Sequence, residues 1–227
     1  MNNIEIITYA THAEGNFNEL INNKFNIPIK VLGWGKPWKG FIQKLKCIVE
    51  YLKKVDDNKL IFIIDGFDVI INKDLKTIYK RFLEFDSTII LSIHNNNNYL
   101  SKKVFDYCKY NLIANAGLYC GYNKNLKNLL NFILVKDFSD DDQRNLNDAC
   151  KYFKNIKLDN KKILFNNLSY LERILDKKYD SCFISTPGGI TLSRLKRVPK
   201  EYFPYFKNEF IIMFIIIIFL IISFLLN

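Results

Sequence analysis

The sequence lacks the cysteine and basic-residue patterns that mark several common protein classes. Its cysteines are Cys47, Cys108, Cys120, Cys150 and Cys182. They lie far apart, form no C-x-x-C pair and are odd in number, which argues against a disulfide framework or a structural zinc site. The net charge is +10, but the lysines are scattered and no aromatic-interleaved basic stripe or zinc-finger spacing is present. We therefore expect no nucleic-acid partner.

An export signal is also missing. Residues 1–9 lack a basic n-region and an extended apolar segment, so they are typical of a first β-strand. The chain of 227 residues, 49% of them hydrophobic, is long enough for one well-buried domain, and no internal repeat is visible. Unpaired cysteines and the absent signal together favour the cytosolic side of a membrane.

One long hydrophobic run is present, at residues 210–226. It is nearly pure Ile, Phe and Leu and has the minimum length for crossing the hydrocarbon core of a bilayer. Aromatic and basic residues precede it in a juxtamembrane segment at 199–209 and just upstream, and only Asn227 follows. The pattern predicts a single-pass membrane anchor that leaves a domain at 1–198 on the cytoplasmic side. The alternative is a buried helix that is apolar on every face.

Strand and helix patterns alternate ahead of this run. Strands are predicted at 4–9, 29–32, 60–64, 89–93, 116–121 and 156–158, and helices at 44–54, 75–85, 100–109, 126–135, 141–153 and 168–177. This alternation predicts an α/β fold with a parallel or mixed sheet.

The segment 60–71 carries the strongest chemical signal. It reads Leu-Ile-Phe-Ile-Ile-Asp-Gly-Phe-Asp-Val-Ile-Ile, so that Asp65 and Asp68 stand at the end of an apolar strand. Two carboxylates so placed can bind one hard cation, and ligands bind at the carboxyl ends of strands in open α/β sheets. A pair of turn or capping aspartates is the alternative for an isolated D-x-x-D.

Several weaker motifs surround this one, and each has a structural alternative. The loop at 32–40 combines three glycines with two tryptophans and suits either a ligand or an Ω-type loop packed by its own rings. Lys44 near the start of a helix can meet phosphate or remain solvated. Residues 115–117 read Asn-Ala-Gly and suit a close substrate or a turn, and the acids at 140–142 precede Gln143, where one acid would suffice as a helix cap.

The order of these pieces resembles the glycosyltransferase domain of procollagen lysyl hydroxylases and the related collagen galactosyltransferases. The resemblance covers about residues 4–192. It begins with Thr-Tyr-Ala-Thr at 8–11, continues through Leu-Gly-Trp-Gly-x-x-Trp-x-Gly and Gln-Lys, and includes Asp-Gly-Phe-Asp, Asn-Ala-Gly, Asp-Asp-Gln and Leu-Asp. Single pieces are weak, but seven in order are a strong signal.

This resemblance implies a GT-A (Rossmann-like) fold that binds a UDP-sugar with a divalent ion, typically Mn²⁺. The implied metal ligands are Asp65 and Asp68. The implied donor contacts are Thr8, Thr11, Trp38, Lys44, Phe67 and Gly188, and the implied sugar and acceptor residues are Asn115, Asp141, Asp142 and Gln143.

Two positions depart from the family pattern. Thr186 stands where the family has a histidine that completes the metal site, and a hydroxyl is a poorer ligand than imidazole. His94 ends a Ser-Ile-His stretch where the family has Ser-Ala-Glu, and it is either a site residue or an ordinary polar residue at a strand end.

These inferences combine into one functional expectation. We expect a membrane-anchored glycosyltransferase that moves a hexose, galactose or glucose, from a UDP-sugar to a hydroxyl of a protein, hydroxylysine included, or of a glycan. The alternative, prompted by Thr186, is a membrane-tethered binding or scaffold protein that keeps the fold without turnover.

Overall fold

The computed structural model describes residues 3–96, 98–136, 139–169, 172, 178–186 and 211. The chain divides into two compact units, Met1–Pro187 and Gly188–Asn227. The predicted anchor at 210–226, the segment at 199–209 and the domain boundary at 198 fall in the second unit, where only residue 211 is described. Across the described ranges, no helix is long and apolar enough to cross a membrane.

Strands and helices alternate along the first unit, as predicted. In chain order the elements are β1 Ile4–Tyr9, α1 Phe17–Ile21, β2 Ile29–Leu32, α2 Phe41–Leu52, β3 Leu60–Asp65, β4 Val69–Ile71, α3 Leu75–Leu83, β5 Ile89–Ile93, α4 Tyr99–Phe105, β6 Ala114–Tyr122, α5 Asn123–Lys136, α6 Asp142–Cys150, β7 Ile156–Leu158, β8 Phe165–Asn167 and β9 Phe183–Ser185. The predicted helix at 168–177 lies mostly outside the described residues.

The main sheet is mixed, with six strands in the order β2-β1-β3-β6-β5-β7. β1 is parallel to β2 and β3, and β5 is parallel to β7, whereas β6 runs antiparallel to β3 and β5 on either side. The carboxyl ends of β1, β3, β5 and β7 therefore meet at the edge where β6 begins. A second sheet of three strands has the order β4-β9-β8.

Two hydrophobic clusters cover the two faces of the main sheet. Helices α2, α5 and α6 supply one of them, and α3 together with the second sheet supplies the other. Helix α2 shows the sequence basis: Leu45, Ile48 and Leu52 recur at helical spacing and are buried, while Lys46 and Glu50 are exposed. Each such buried aliphatic side chain stabilises the fold by roughly 1.5–3 kcal/mol.

The expectation of unpaired cysteines was wrong for one pair. Cys108, in the loop before β6, and Cys150, at the end of α6, form a disulfide with their Cα atoms 5.2 Å apart. The two residues are separated by 42 positions in sequence, so their spacing gives no sign of the pairing. Cys47, Cys120 and Cys182 are free.

Candidate active site

The carboxyl ends of β1 and β3 lie side by side at one edge of the main sheet. In their parallel register Thr8 is opposite Ile64 and Tyr9 is opposite Asp65. β6 runs in the opposite direction beside β3, so its first residues, including Asn115, reach the same edge. Open α/β sheets bind their ligands at this edge. The fold therefore places Thr8, Asp65 and Asn115 where the sequence predicts a site.

A buried lysine joins two of the predicted acids. Lys44, in the first turn of α2, is 6% exposed and donates from Nζ to Asp65 Oδ1 at 2.8 Å and to Asp142 Oδ2 at 3.1 Å. Asp142 is likewise buried, whereas the Asp65 side chain is 40% exposed. A buried ion pair costs desolvation energy and is weak evidence of stabilisation. Its position at the ligand edge favours a functional role.

Burial and charge shift the pKa values of this cluster. Burial raises the pKa of Asp142 to about 6 against the attraction of Lys44, and the carboxylates of Asp65 and Asp141 raise it further. Burial alone would lower the pKa of Lys44, but Asp142 and Asp65 hold it well above its ordinary value. Burial also raises the pKa of Tyr119, which lies near enough to interact with the charges of Lys44, Asp142 and Asp65. Lys44 is therefore a permanent cation at neutral pH.

An amide pair adjoins this cluster on the β6 side. Asn115 Nδ2 donates to Gln143 Oε1 at 3.2 Å, and Asn115 Oδ1 accepts the N–H of Gly117 at 2.9 Å. A Cβ atom at Gly117 would lie 2.6 Å from Asp65 Oδ2, so only glycine leaves room for that carboxylate. The sequence indicates a close approach at 115–117, but it does not show that the neighbour is Asp65.

Helix α6 is fixed against the start of β6 by a side chain that sequence reasoning missed. Asn147 accepts the N–H of Ala114 at 2.7 Å and donates to its carbonyl at 3.0 Å. The one signal in the sequence was that Asn147, a polar residue, lies on the apolar face of the predicted helix. At the other end of α6, Asp141 Oδ1 accepts the N–H of Arg144 at 2.7 Å and caps the helix. Asp141 thus caps the helix, while Asp142 contacts Lys44.

Thr8 and Trp38, two predicted nucleotide contacts, lie close to Tyr9 on β1. Thr8 is buried, and its Oγ1 has no hydrogen-bond partner within the described residues. Trp38 is half-exposed and meets the Tyr9 ring edge-on, with 5.9 Å between ring centroids. A buried hydroxyl without a partner and an exposed aromatic face are both suited to contacts with a ligand.

Thr11 and Phe67 are linked through His12. Thr11 Oγ1 lies 2.9 Å from His12 Nδ1, and the His12 ring centroid lies 5.3 Å from that of Phe67. Thr11 follows β1 and Phe67 follows β3, so both residues lie beyond the carboxyl ends of these strands. Gly188 lies outside the described residues.

The candidate site has fewer metal-binding side chains than a site in which the protein supplies all the ligands. Among the described residues, no group of three or more His, Cys, Asp or Glu is placed to hold a metal. Thr186 donates its N–H to the Asp68 carbonyl at 2.8 Å and its hydroxyl to the same oxygen at 3.2 Å. Asp65 and Asp68 still provide the oxygen chemistry that Mg²⁺ or Mn²⁺ accepts when substrate phosphates supply further ligands. The residues therefore fit an ion that binds together with a phosphate group.

His94 directly follows β5 at the same edge, which places it on the other side of β6 from β3. Its ring packs against Phe105 with 5.5 Å between centroids, and its Nδ1 has no hydrogen-bond partner within the described ranges. Burial lowers its pKa to about 4. The imidazole is therefore neutral at physiological pH.

Comparison with known proteins gives this site a family. The chain is 26% identical over 195 residues to the multifunctional procollagen lysine hydroxylase and glycosyltransferase of Caenorhabditis elegans, an alignment that covers 72% of this chain and 25% of that protein. The chain thus spans about a quarter of the length of this relative. The sequence profile of the PLOD GT domain matches residues 1–181, which confirms the resemblance drawn from the motifs, and the chain belongs to this family of glycosyltransferase domains.

Proposed function

We propose that this chain is a metal-dependent glycosyltransferase of GT-A type that uses a UDP-hexose as donor. The observation that carries the proposal is the buried Lys44 between Asp65 and Asp142 at the ligand edge of the sheet. A fixed cation beside carboxylates that suit a metal is an arrangement that can bind and stabilise a diphosphate leaving group.

Each predicted residue has a proposed task. Asp65 and Asp68 hold the divalent ion, for which Mn²⁺ is the first candidate, and such an ion supplies Lewis-acid stabilisation of the departing diphosphate. Lys44 donates to the same diphosphate. Asn115, Asp141, Asp142 and Gln143 orient the transferred sugar and the acceptor hydroxyl.

The nucleoside side of the site is formed by a second set of residues. Thr8 and Thr11 offer hydroxyls, and Phe67 and Trp38 offer aromatic faces on which a base can stack. Gly188 is proposed to bring main chain close to the diphosphate, from a segment outside the described residues.

We propose galactose or glucose as the sugar, and a hydroxyl of a protein, with hydroxylysine first, or of a glycan as the acceptor. Hydroxylysine is suggested by the name of the nematode relative, which couples lysine hydroxylation with glycosyl transfer. Because this chain spans a quarter of that protein, the acceptor is a proposal of its own.

The membrane anchor at 210–226 and the cytoplasmic placement of the domain are likewise proposals. The disulfide between Cys108 and Cys150 removes the cysteine argument for that side, since disulfides persist mainly in oxidising compartments. The basic residues ahead of the apolar run now carry the proposal.

A UDP-release assay tests the function directly. The full-length protein is incubated with Mn²⁺ and UDP-galactose, UDP-glucose or UDP-N-acetylglucosamine, with and without a hydroxylysine peptide. Release of UDP that requires Mn²⁺ and rises with an acceptor supports the proposal. Binding of UDP without turnover on any donor would favour the scaffold alternative, which the replacement of the family histidine by Thr186 suggests.

A further inference from the structure

Lys44 occupies a place close to where a divalent cation has to bind. Its ammonium group already contacts Asp65 Oδ1 at 2.8 Å and Asp142 Oδ2 at 3.1 Å, with the lysine side chain almost entirely buried. Asp65 is also one of the two carboxylates suited to a metal. An ion on Asp65 would therefore stand near a fixed positive charge, and the two cations would repel each other.

The chain offers few other ligands to offset this repulsion. No group of three or more metal-binding side chains is present within the described ranges, and the Thr186 hydroxyl donates to the Asp68 main chain. A hard cation with one or two carboxylates fills its remaining positions with water or phosphate. A nucleoside diphosphate brings both the missing oxygen ligands and the missing negative charge.

We infer that Lys44 is the resident counter-cation of Asp65 and Asp142, and that a divalent ion binds this site only together with a nucleoside diphosphate. The diphosphate places negative charge between the two cations, so that both are attracted to its oxygens. The inference rests on the proposed function, because it takes UDP as the nucleotide. Lys44 thus selects the metal–nucleotide complex over the free metal.

Equilibrium dialysis of the full-length protein against Mn²⁺ tests this inference. The readout is the excess of Mn²⁺ on the protein side of the dialysis membrane. The Mn²⁺–UDP complex in free solution is equally concentrated on both sides, so it does not contribute to this excess. Wild-type protein should retain Mn²⁺ at least about tenfold more tightly with UDP than without it. Lys44→Met should raise the affinity for Mn²⁺ alone by about tenfold, since it removes the competing charge. Lys44→Arg, which keeps the charge, should still bind Mn²⁺ alone more weakly than Lys44→Met does.

Lys46→Met is the matched control, because Lys46 is an exposed residue of the same helix. It should leave Mn²⁺ binding unchanged. Equal Mn²⁺ affinity of the wild type with and without UDP would overturn the inference even if Lys44→Met fails to fold, and so would a folded Lys44→Met that binds free Mn²⁺ no better. Calorimetry separates this from the proposed function. A protein that binds UDP but holds Mn²⁺ equally well with and without it contradicts the inference alone, whereas a protein that binds UDP neither alone nor with Mn²⁺ contradicts both.

Discussion

Asp65 and Asp68 are the residues whose charge the proposed chemistry needs most. Asp65→Asn and Asp68→Asn, made separately, should each lower sugar transfer by about 10²–10³-fold, in line with the loss of one charged group at a reacting diphosphate. Each change conserves side-chain volume, so the melting temperature should change little. The measurements are kcat/KM for UDP release and thermal unfolding.

Asp86→Asn is a suitable control for these variants. Asp86 is exposed ahead of β5, at the opposite edge of the sheet, and its φ of 44° is a conformation that asparagine tolerates. The variant should keep full activity. Undiminished transfer by Asp65→Asn, or full wild-type activity in excess EDTA, would remove the metal from the mechanism.

His94 makes the stability of the fold depend on pH. Burial lowers its pKa from 6.5 to about 4, so the unfolded chain binds the extra proton first as the pH falls. The stability that the neutral imidazole provides is complete above pH 6.5 and is lost between about 6.5 and 4, by up to about 3 kcal/mol. His94→Gln should lose less stability than wild type over this window.

Urea unfolding at several pH values between 7 and 4 measures this difference. His12→Gln is the control for removing a histidine, since His12 is the other histidine of the chain and its side chain is 61% exposed. Parallel pH dependence of the wild type and His94→Gln would show that His94 is not responsible.

At the scale of elements, strand β6 carries two glycines with different tasks. A Cβ at Gly117 would meet Asp65 Oδ2 at 2.6 Å, and one at Gly121 would meet the main-chain oxygen of Thr88 at 2.5 Å. Gly117→Ala should therefore displace a site carboxylate, weakening UDP and Mn²⁺ binding by about tenfold or more with a small change in stability. Gly121→Ala should force backbone apart and cost about 1–3 kcal/mol of unfolding free energy.

The two variants serve as controls for each other, because they make the same change in one strand. Calorimetric titration with UDP and Mn²⁺ reports the site, and urea unfolding reports the fold. If Gly117→Ala lost stability as Gly121→Ala does while a folded fraction bound UDP normally, the close contact with Asp65 would have no functional part.

The sequence predicts the long elements and the short strands β2 and β7, but not the short elements α1, β4 and β9. The helix period of α2 and the apolar run of β3 are visible because many residues repeat one pattern. β4 and β9 have three residues each, too few to show a period, and they exist because they pair with one another. The Cys108–Cys150 disulfide was missed for a related reason, since only tertiary folding brings its cysteines together.

The candidate site likewise has residues that could be predicted from the sequence and contacts that could not. Asp65, Asp68 and Asp142 could be predicted because carboxylates at strand and helix ends are conspicuous. The pairing of Lys44 with both Asp65 and Asp142 could not, because those acids lie 21 and 98 residues away from it. Tyr119 gave no signal, since a tyrosine within a strand is ordinary.

For the whole molecule, the proposed anchor at residues 210–226 leads to a prediction about the side of the membrane on which the domain lies. The full-length protein expressed in a eukaryotic cell should sediment with membranes through residues 210–226. Protease added outside intact microsomes should remove the domain if it faces the cytoplasm. Protection of the domain, together with a Cys108–Cys150 disulfide that resists alkylation before reduction, would place it in the lumen.

The sequon at Asn167-Leu168-Ser169 is a poor reporter for this experiment. Asn167 is buried in β8, and its Nδ2 donates to the Ile93 carbonyl at 2.8 Å. A glycan on this nitrogen is incompatible with the folded strand. A protein glycosylated at Asn167 is therefore expected to misfold. An unglycosylated Asn167 is expected whether the domain faces the lumen or the cytoplasm.

The double hydrogen bond between Asn147 and Ala114 has a consequence for the way the domain opens. The Asn147 amide takes the place of a neighbouring strand at the first residue of β6, so that this end of the strand cannot separate while α6 remains docked. In native-state hydrogen exchange, the Ala114 amide should exchange together with the amides of α6 rather than with those of central β6. Asn147→Leu should uncouple them. In the wild type, Asp142 on α6 and Asn115 at the start of β6 would therefore belong to one cooperative unit, whose opening exposes the site before the rest of the sheet unfolds.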